Sequence, residues 1–88
     1  MRVKKISYSS KFLRNLRKLP PEVKNVIDLR LNIFKSNCFD SRLKTHKLIG
    51  AWKNYWAFSV TYSYRIVFEF TNPGDVGFVD VGNHDVYR

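Results

Sequence analysis

At 88 residues, with 44% apolar and 16% aromatic content, the chain has material for one modest hydrophobic core without covalent staples. Its single cysteine, Cys38, excludes an internal disulfide, and no apolar run approaches the ~18 residues of a membrane span. The expectation is one domain, residues 1–88, in a reducing cytoplasm. Sixteen Lys and Arg against seven Asp and Glu give a formal charge of +9. The surplus is uneven: residues 1–64 hold fourteen bases and three acids, whereas residues 65–88 hold two bases and four acids. Such a surplus points to a polyanionic partner, nucleic acid first; the plainer alternatives are a solvated basic surface or one that docks an acidic protein.

Val3, Lys5 and Ser7 alternate with Lys4, Ile6 and Tyr8, which predicts a first strand. Ser9-Ser10 supplies an N-cap, and Phe12, Leu13, Leu16 and Leu19 follow at helical spacing with Lys11, Arg14, Arg17 and Lys18 on the other side. Pro20-Pro21 ends that helix, and Pro21 suits the first position of a second one. Val23, Val26, Ile27 and Phe34 mark its buried stripe, widened by Leu29, Leu31 and Ile33, with Asn37 as C-terminal cap. Arg30 falls near that stripe and is expected to snorkel or to pair with an acid.

From Trp56 the period changes to two. Trp56, Phe58, Val60 and Tyr62 share one face of a strand, with Ala57, Ser59 and Thr61 on the other. Tyr64, Ile66, Phe68 and Phe70 then oppose Arg65, Val67 and Glu69. Asn72-Pro73-Gly74-Asp75 is a turn, and a last strand covers Val76 to Val81, with Gly77, Val79 and Val81 on one face and Phe78 and Asp80 on the other. The predicted fold is α+β, β-α-α-β-β-β, a helical hairpin packed on a twisted antiparallel sheet.

No cluster of His, Cys and acids has metal-ligand spacing, no Gly-rich phosphate loop is present, and no cofactor is expected. Cys38 is expected to pack near a helix end. What remains is a set suited to RNA: His46, Lys47, Lys53, Arg65, His84 and Tyr87. Cleavage without a metal needs a base for the 2′-OH proton, a cation against the phosphate, and an acid for the leaving 5′ oxygen. Histidine suits both proton transfers, arginine's planar fork suits the phosphate, and tyrosine stacks on a base. Each residue also has a plainer explanation. Arg65 is placed to pair with Glu69 on its own face, His46 to sit in a basic surface loop, His84 to serve a turn, and Tyr87 to tuck against the sheet. Trp52 and Trp56 read as packing rather than as platforms for bases.

The runs Leu48-Ile49-Gly50-Ala51-Trp52, Tyr55-Trp56, Tyr64-Arg65-Ile66-Val67-Phe68 and Gly82-Asn83-His84-Asp85-Val86-Tyr87 resemble the RelE/ParE superfamily of type II toxins. The YoeB-like and YafQ-like ribonuclease branches are the nearest in pattern. The resemblance implies a RelE-like fold with its site on the concave face of the sheet. It further implies metal-independent mRNA cleavage at the ribosomal A site by 2′-OH attack, with inhibition of translation. It also implies a cognate antitoxin, which charge complementarity makes acidic and partly disordered. In this pattern His46 takes the place of the general base, Arg65 stabilises the transition state, His84 is the general acid and Tyr87 the terminal aromatic. Lys47 and Lys53 are the phosphate-binding candidates. His84 and Tyr87 are separated by Asp85-Val86 where YoeB-like chains have His and Tyr adjacent, so Asp85 is a rival acid and a further RNA contact. The same superfamily also contains ParE-like inhibitors of DNA gyrase that cut nothing, which is the alternative reading.

Overall fold

The structure, a computed structural model, describes residues 1–83 and Val86. Strand β1 (Lys5–Tyr8) leads into helix α1 (Ser10–Leu16), capped by Ser9, whose hydroxyl accepts from the Phe12 amide at 2.9 Å. The helix stops at Leu16, short of the expected Leu19. Pro20 and Pro21 have no N–H to offer the carbonyls of Leu16 and Arg17. The chain closes instead through i to i+3 bonds, Lys18 to Asn15 at 3.1 Å and Leu19 to Leu16 at 3.2 Å.

Helix α2 (Pro21–Ser36) starts on the expected proline, with Glu22 in its first turn and Lys35 in its last, each of the sign its end favours. Val23, Ile27 and Phe34 are buried, while Val26, Leu31 and Ile33 pack at the margin. Leu29 is 66% exposed, contrary to the expected stripe. It stands roughly 200° around the helix from Ile27, outside any face that includes Ile27 and Phe34. Asn37 closes the helix as expected, and the buried Cys38 follows it. Among the described residues Arg30 pairs with no acid. Its Nε donates to the Val60 carbonyl at 3.1 Å and its Nη1 to that of Arg42 at 3.4 Å, so it ties α2 to two loop carbonyls.

A short 3-10 turn (Ser41–Leu43) precedes β2 (His46–Lys47), and a second one (Gly50–Trp52) precedes β3 (Trp56–Ser59). Strands β4 (Tyr64–Asn72) and β5 (Asp75–Asn83) complete a five-stranded sheet in the order β1-β5-β4-β3-β2. The fold is α+β with two helices on one face of the sheet, as expected. Two details differ. Strand β1 pairs parallel to β5, because the chain between them spans the whole molecule rather than a tight hairpin. The two-residue β2 adds an edge where a loop was expected.

The main core lies between the helices and one sheet face. Phe34 is its hub, with ring centroids 4.6 Å from Phe58, 5.1 Å from Phe68 and 5.4 Å from Phe78. Strand β3 ends at Ser59, and Tyr62 is 84% exposed in the following loop rather than on the apolar face. The turn before β5 uses Gly74 at φ 85°, a conformation open to glycine.

Strand β5 carries a bulge that the alternation did not foretell. Val67 pairs with Asp80 but Phe68 pairs with Phe78, which leaves Val79 as the extra residue. Phe78 and Val81 therefore both belong to the main core, and the expected split of that strand into two faces fails at this point. The bulge is tied to the start of α1: the Ser9 amide donates to the Phe78 carbonyl at 3.0 Å and the Ser9 hydroxyl to the Val79 carbonyl at 2.7 Å. It also aims Asp80 at α1, where its carboxylate accepts from Asn15 Nδ2 at 2.7 Å and lies 3.4 Å from Lys11 Nζ.

Candidate active site

The sheet face away from the helices carries the residues of interest, and its register determines which of them share it. Across the strands, His46 lies opposite Ala57, and Ala57 opposite Val67. Two residues along, Ser59 lies opposite Arg65, and Arg65 opposite Gly82. Directly paired residues point to the same side of a sheet, as do residues two apart. His46 and Arg65 therefore occupy one face, in neighbouring rows and two strands apart. From strand spacing and rise their backbones are roughly 12 Å from each other. The structure thus brings them together on a surface without bringing them into contact.

His46 is exposed on the edge strand, with Nδ1 3.0 Å from the Lys44 carbonyl. A carbonyl only accepts, so in the neutral ring Nδ1 carries the proton and Nε2 carries the lone pair. Arg65 is half-buried and does not pair with Glu69. Its Nη1 donates to three carbonyls at the β3–β4 loop, Thr61 at 3.0 Å, Tyr62 at 2.8 Å and Tyr64 at 3.3 Å. Thr61 Oγ1 in turn accepts from the Ser63 and Tyr64 amides, at 3.3 and 3.2 Å, which fixes the loop. The guanidinium is anchored through one nitrogen, and among the described residues Nη2 and Nε have no partner.

A second apolar cluster occupies the same face: Leu48, Ala57 and Val67 are buried, with Trp52, Tyr55, Val79 and Val86 packed around them. Val86 packs against the end of β5. A Cβ built on Gly82 would stand 3.3 Å from both Cβ and Cγ2 of Val86, so the missing side chain makes the seat for that residue. The seat sits beside Arg65 in the register. His84, Asp85 and Tyr87 lie outside the described residues.

Lys47 alternates away from His46, in register with Trp56. At this edge it nevertheless borders two hollows. One, of about 300 Å³, is lined by His46, Lys47, Leu48, Ile49 and Trp52. The other, of about 380 Å³, is lined by Lys47, Leu48, Ile49, Gly50, Lys53 and Asn54. Lys53 follows the Gly50–Trp52 turn and is exposed. Trp56, by contrast, is a packing residue, with ring centroids 5.4 Å from Phe39 and 5.7 Å from Phe70 at the end of the main core. Cys38 takes no part here, and burial pushes its thiol pKa up.

The sequence reading missed the bulge that aims Asp80, the seat at Gly82 and the place of Trp52 beside His46. Only the second had a signal, a glycine near the end of a strand.

Two helices packed on one side of a five-stranded, mostly antiparallel sheet give an α+β fold that matches RelE-like toxins. The chain is similar in structure to the YoeB/ParE toxin from Agrobacterium tumefaciens, at 16% identity over 92% of this chain and 99% of that one, with a TM-score of 0.75. It is similar to the toxin–antitoxin complex RelBE2 from Mycobacterium tuberculosis, at 15% identity over 96% and 94% of the two chains, with a TM-score of 0.76. The DinJ-YafQ toxin-antitoxin complex of E. coli matches at 19% identity over 99% and 98%, with a TM-score of 0.74. These likenesses are of fold. No family model matches the chain, and no curated protein matches it in sequence. No helix among the described residues is long and apolar enough to cross a membrane.

Proposed function

We propose that this chain is the toxin of a type II toxin–antitoxin system, a single-domain endoribonuclease that cleaves mRNA at the ribosome without a metal. The observation that carries the reading is the register that sets His46 and Arg65 in neighbouring rows of the helix-free face of a RelE-like sheet. The architecture alone does not decide chemistry, so the reading leans on the placement of these two side chains.

In the proposed step His46 Nε2 takes the proton of a ribose 2′-OH. The 2′ oxygen bonds to the adjacent phosphorus, and the bond from phosphorus to the 5′ oxygen breaks. The Nη2 and Nε donors of Arg65 meet the phosphate oxygens as charge gathers on them, held at their post by the Nη1 contacts to the loop. An acid returns a proton to the leaving 5′ oxygen. His84 is assigned that role by its place in the family pattern, with Asp85 as the rival and Tyr87 as the aromatic that orients a base. The products are a 2′,3′-cyclic phosphate and a 5′-hydroxyl. Lys47 and Lys53 neutralise flanking phosphates. The partner is an acidic antitoxin segment that orders on a +9 surface. Toxin–antitoxin complexes among the structural neighbours support that partner.

The test is induction in a bacterial host, with growth and primer extension on a defined mRNA, followed by the same mRNA with purified protein, with and without ribosomes. Discrete cuts within codons are expected. Arg65→Lys keeps the charge and a donor for the loop but lacks the planar fork, so cleavage falls about 10²–10³-fold while thermal melting is unchanged. Toxicity without cuts, or undiminished in the variant, overturns the reading, and inhibition of DNA supercoiling in the same extract then identifies a gyrase poison.

A further inference from the structure

The hollow beside His46 has a composition that cleavage chemistry does not explain. It is lined by Trp52, Leu48, Ile49 and Lys47 together with His46. Ile49 is 87% exposed, a large apolar side chain held out in water next to a half-buried tryptophan. The loop that presents them is closed upon itself. The Leu48 amide donates to the Tyr55 carbonyl at 3.0 Å, that of Tyr55 to Trp52 at 2.9 Å, that of Trp52 to Ile49 at 3.3 Å and that of Lys53 to Gly50 at 3.1 Å. Gly50 turns the chain at φ 68°. Trp52 is further braced edge-on by Tyr55, with centroids 5.4 Å apart, and by the buried Leu48–Ala57–Val67 cluster. A wall held this firmly loses little freedom when something docks on it.

The adjoining hollow shares Lys47, Leu48 and Ile49 and adds Lys53 and Asn54. No acid lines either one. An apolar, aromatic wall joined to a rim of two lysines matches a ligand that is a flat ring at one end and a phosphate at the other, which is a nucleotide.

We propose that the His46–Trp52 hollow is a base-binding subsite of the RNA. One unstacked base lies on the Trp52 indole against Ile49, with its flanking phosphates met by Lys47 and Lys53. The proposal rests on the ribonuclease reading and adds to it a specificity element. A base seated here, next to the residue proposed to take the 2′-OH proton, sets the position of the cut along the strand.

The experiment measures binding of a fluorescein-labelled 2′-O-methyl RNA hexamer, which has no 2′-OH to attack, by anisotropy from about 50 to about 200 mM salt. Stacking carries no counterion release, whereas each lysine does. Trp52→Leu is therefore expected to weaken binding about tenfold at every salt concentration, with the slope of log affinity against log salt unchanged. Trp52→Phe restores most of that loss. Changing Lys47 and Lys53 to Gln flattens the slope by about 0.7 for each residue. Ile49→Ser is on the surface, leaves melting alone and weakens binding a few-fold, so the proposal does not depend on one variant that unfolds.

If Trp52→Leu and Ile49→Ser both bind within twofold of the parent protein, the subsite is wrong and the ribonuclease reading stands. If Trp52→Phe binds as poorly as Trp52→Leu, with a lowered melting point in both, Trp52 only supports the fold and the proposal falls. If the parent protein does not bind the hexamer at all, the subsite is wrong, and the ribonuclease reading is decided separately by the primer-extension assay with ribosomes. If a hexaglutamate peptide binds with the same dependence on Trp52 and Ile49, the hollow belongs to a protein partner and the proposal is again overturned.

Discussion

Replacing Asp80 by alanine asks whether one buried carboxylate holds the bulge of β5 in place. Asp80 is 4% exposed, and its Oδ1 accepts from Asn15 Nδ2 at 2.7 Å and from the Val81 amide at 2.8 Å. Its Oδ2 lies 3.4 Å from Lys11 Nζ, but the lysine side chain is 55% exposed and an ion pair in that setting adds little. The substitution thus strands two neutral donors. An unsatisfied buried donor costs about 1–3 kcal/mol, and the half-buried Asn15 amide recovers part of its loss from water. The sum is about 2–4 kcal/mol. For a chain of this length the total stability is roughly 4–13 kcal/mol, so the change removes a large share of it. At about 4–8 °C for each kcal/mol, thermal melting should fall by roughly 8–32 °C. Asp80→Asn keeps the shape and one acceptor and should cost about 1 kcal/mol. Melting curves of both variants, and a double-mutant cycle with Asn15→Ala, measure this directly, with a coupling of about 1 kcal/mol expected across the cycle. If Asp80→Asn costs as much as Asp80→Ala, the charge opposite Lys11 dominates and the hydrogen-bond account is refuted. A coupling of zero refutes it as well.

Further outcomes follow from single contacts. Gly82→Ala puts a methyl 3.3 Å from Val86, while the strand gains about 0.4–1 kcal/mol from a less flexible unfolded chain. Stability should therefore stay within about 1 kcal/mol of the parent while, on the proposed mechanism, cleavage drops at least tenfold, because Val86, the sequence neighbour of the proposed His84 and Tyr87, loses its seat. Single-turnover rates beside urea curves check this, and unchanged rates count against a catalytic tail. The Arg42 side chain, followed by the Arg42 amide, holds the Asp40 carboxyl at about 2, below its ordinary 3.8. A carboxyl lowered on folding stabilises above its unfolded pKa, and that contribution is lost as pH falls through the folded value. The melting difference between parent and Asp40→Asn should be constant above about pH 5 and shrink between pH 3.8 and about 2. Cys38 is fully buried with its thiol pKa raised, so Ellman's reagent should react with it only at the rate of unfolding. Fast labelling of the native protein would contradict the packing around it.

The helical pair, the long strands and the turn at Gly74 were legible because each rests on a local cause: a serine cap, a proline at the first helical position, an alternation seven or more residues long. The pairing of strands is not local. That Arg65 faces away from Tyr64 and Ile66 follows from alternation alone, and the sequence reading placed it correctly. That His46 shares its face requires β2, and a strand of two residues leaves no period to detect. The bulge at Val79 is hidden for a similar reason. Phe78-Val79-Asp80-Val81 alternates well enough on paper, and only the contacts of Ser9 and Asn15 from α1 select the version in which Val79 is the extra residue. The competing explanations of the site residues turn on the same logic. Glu69 was an apt partner for Arg65 by spacing, yet the β3–β4 loop offers three carbonyls closer to hand, and a guanidinium with five donors takes the denser set of acceptors. Trp52 had been read as packing, and half of it is, since one edge meets Tyr55 and the buried cluster. Its other part lines the hollow with His46, and neither spacing nor hydrophobicity separates a tryptophan that fills a core from one that walls a site. Both bury part of the ring, and the difference lies in what stands across from it, which only the register of the strands determines.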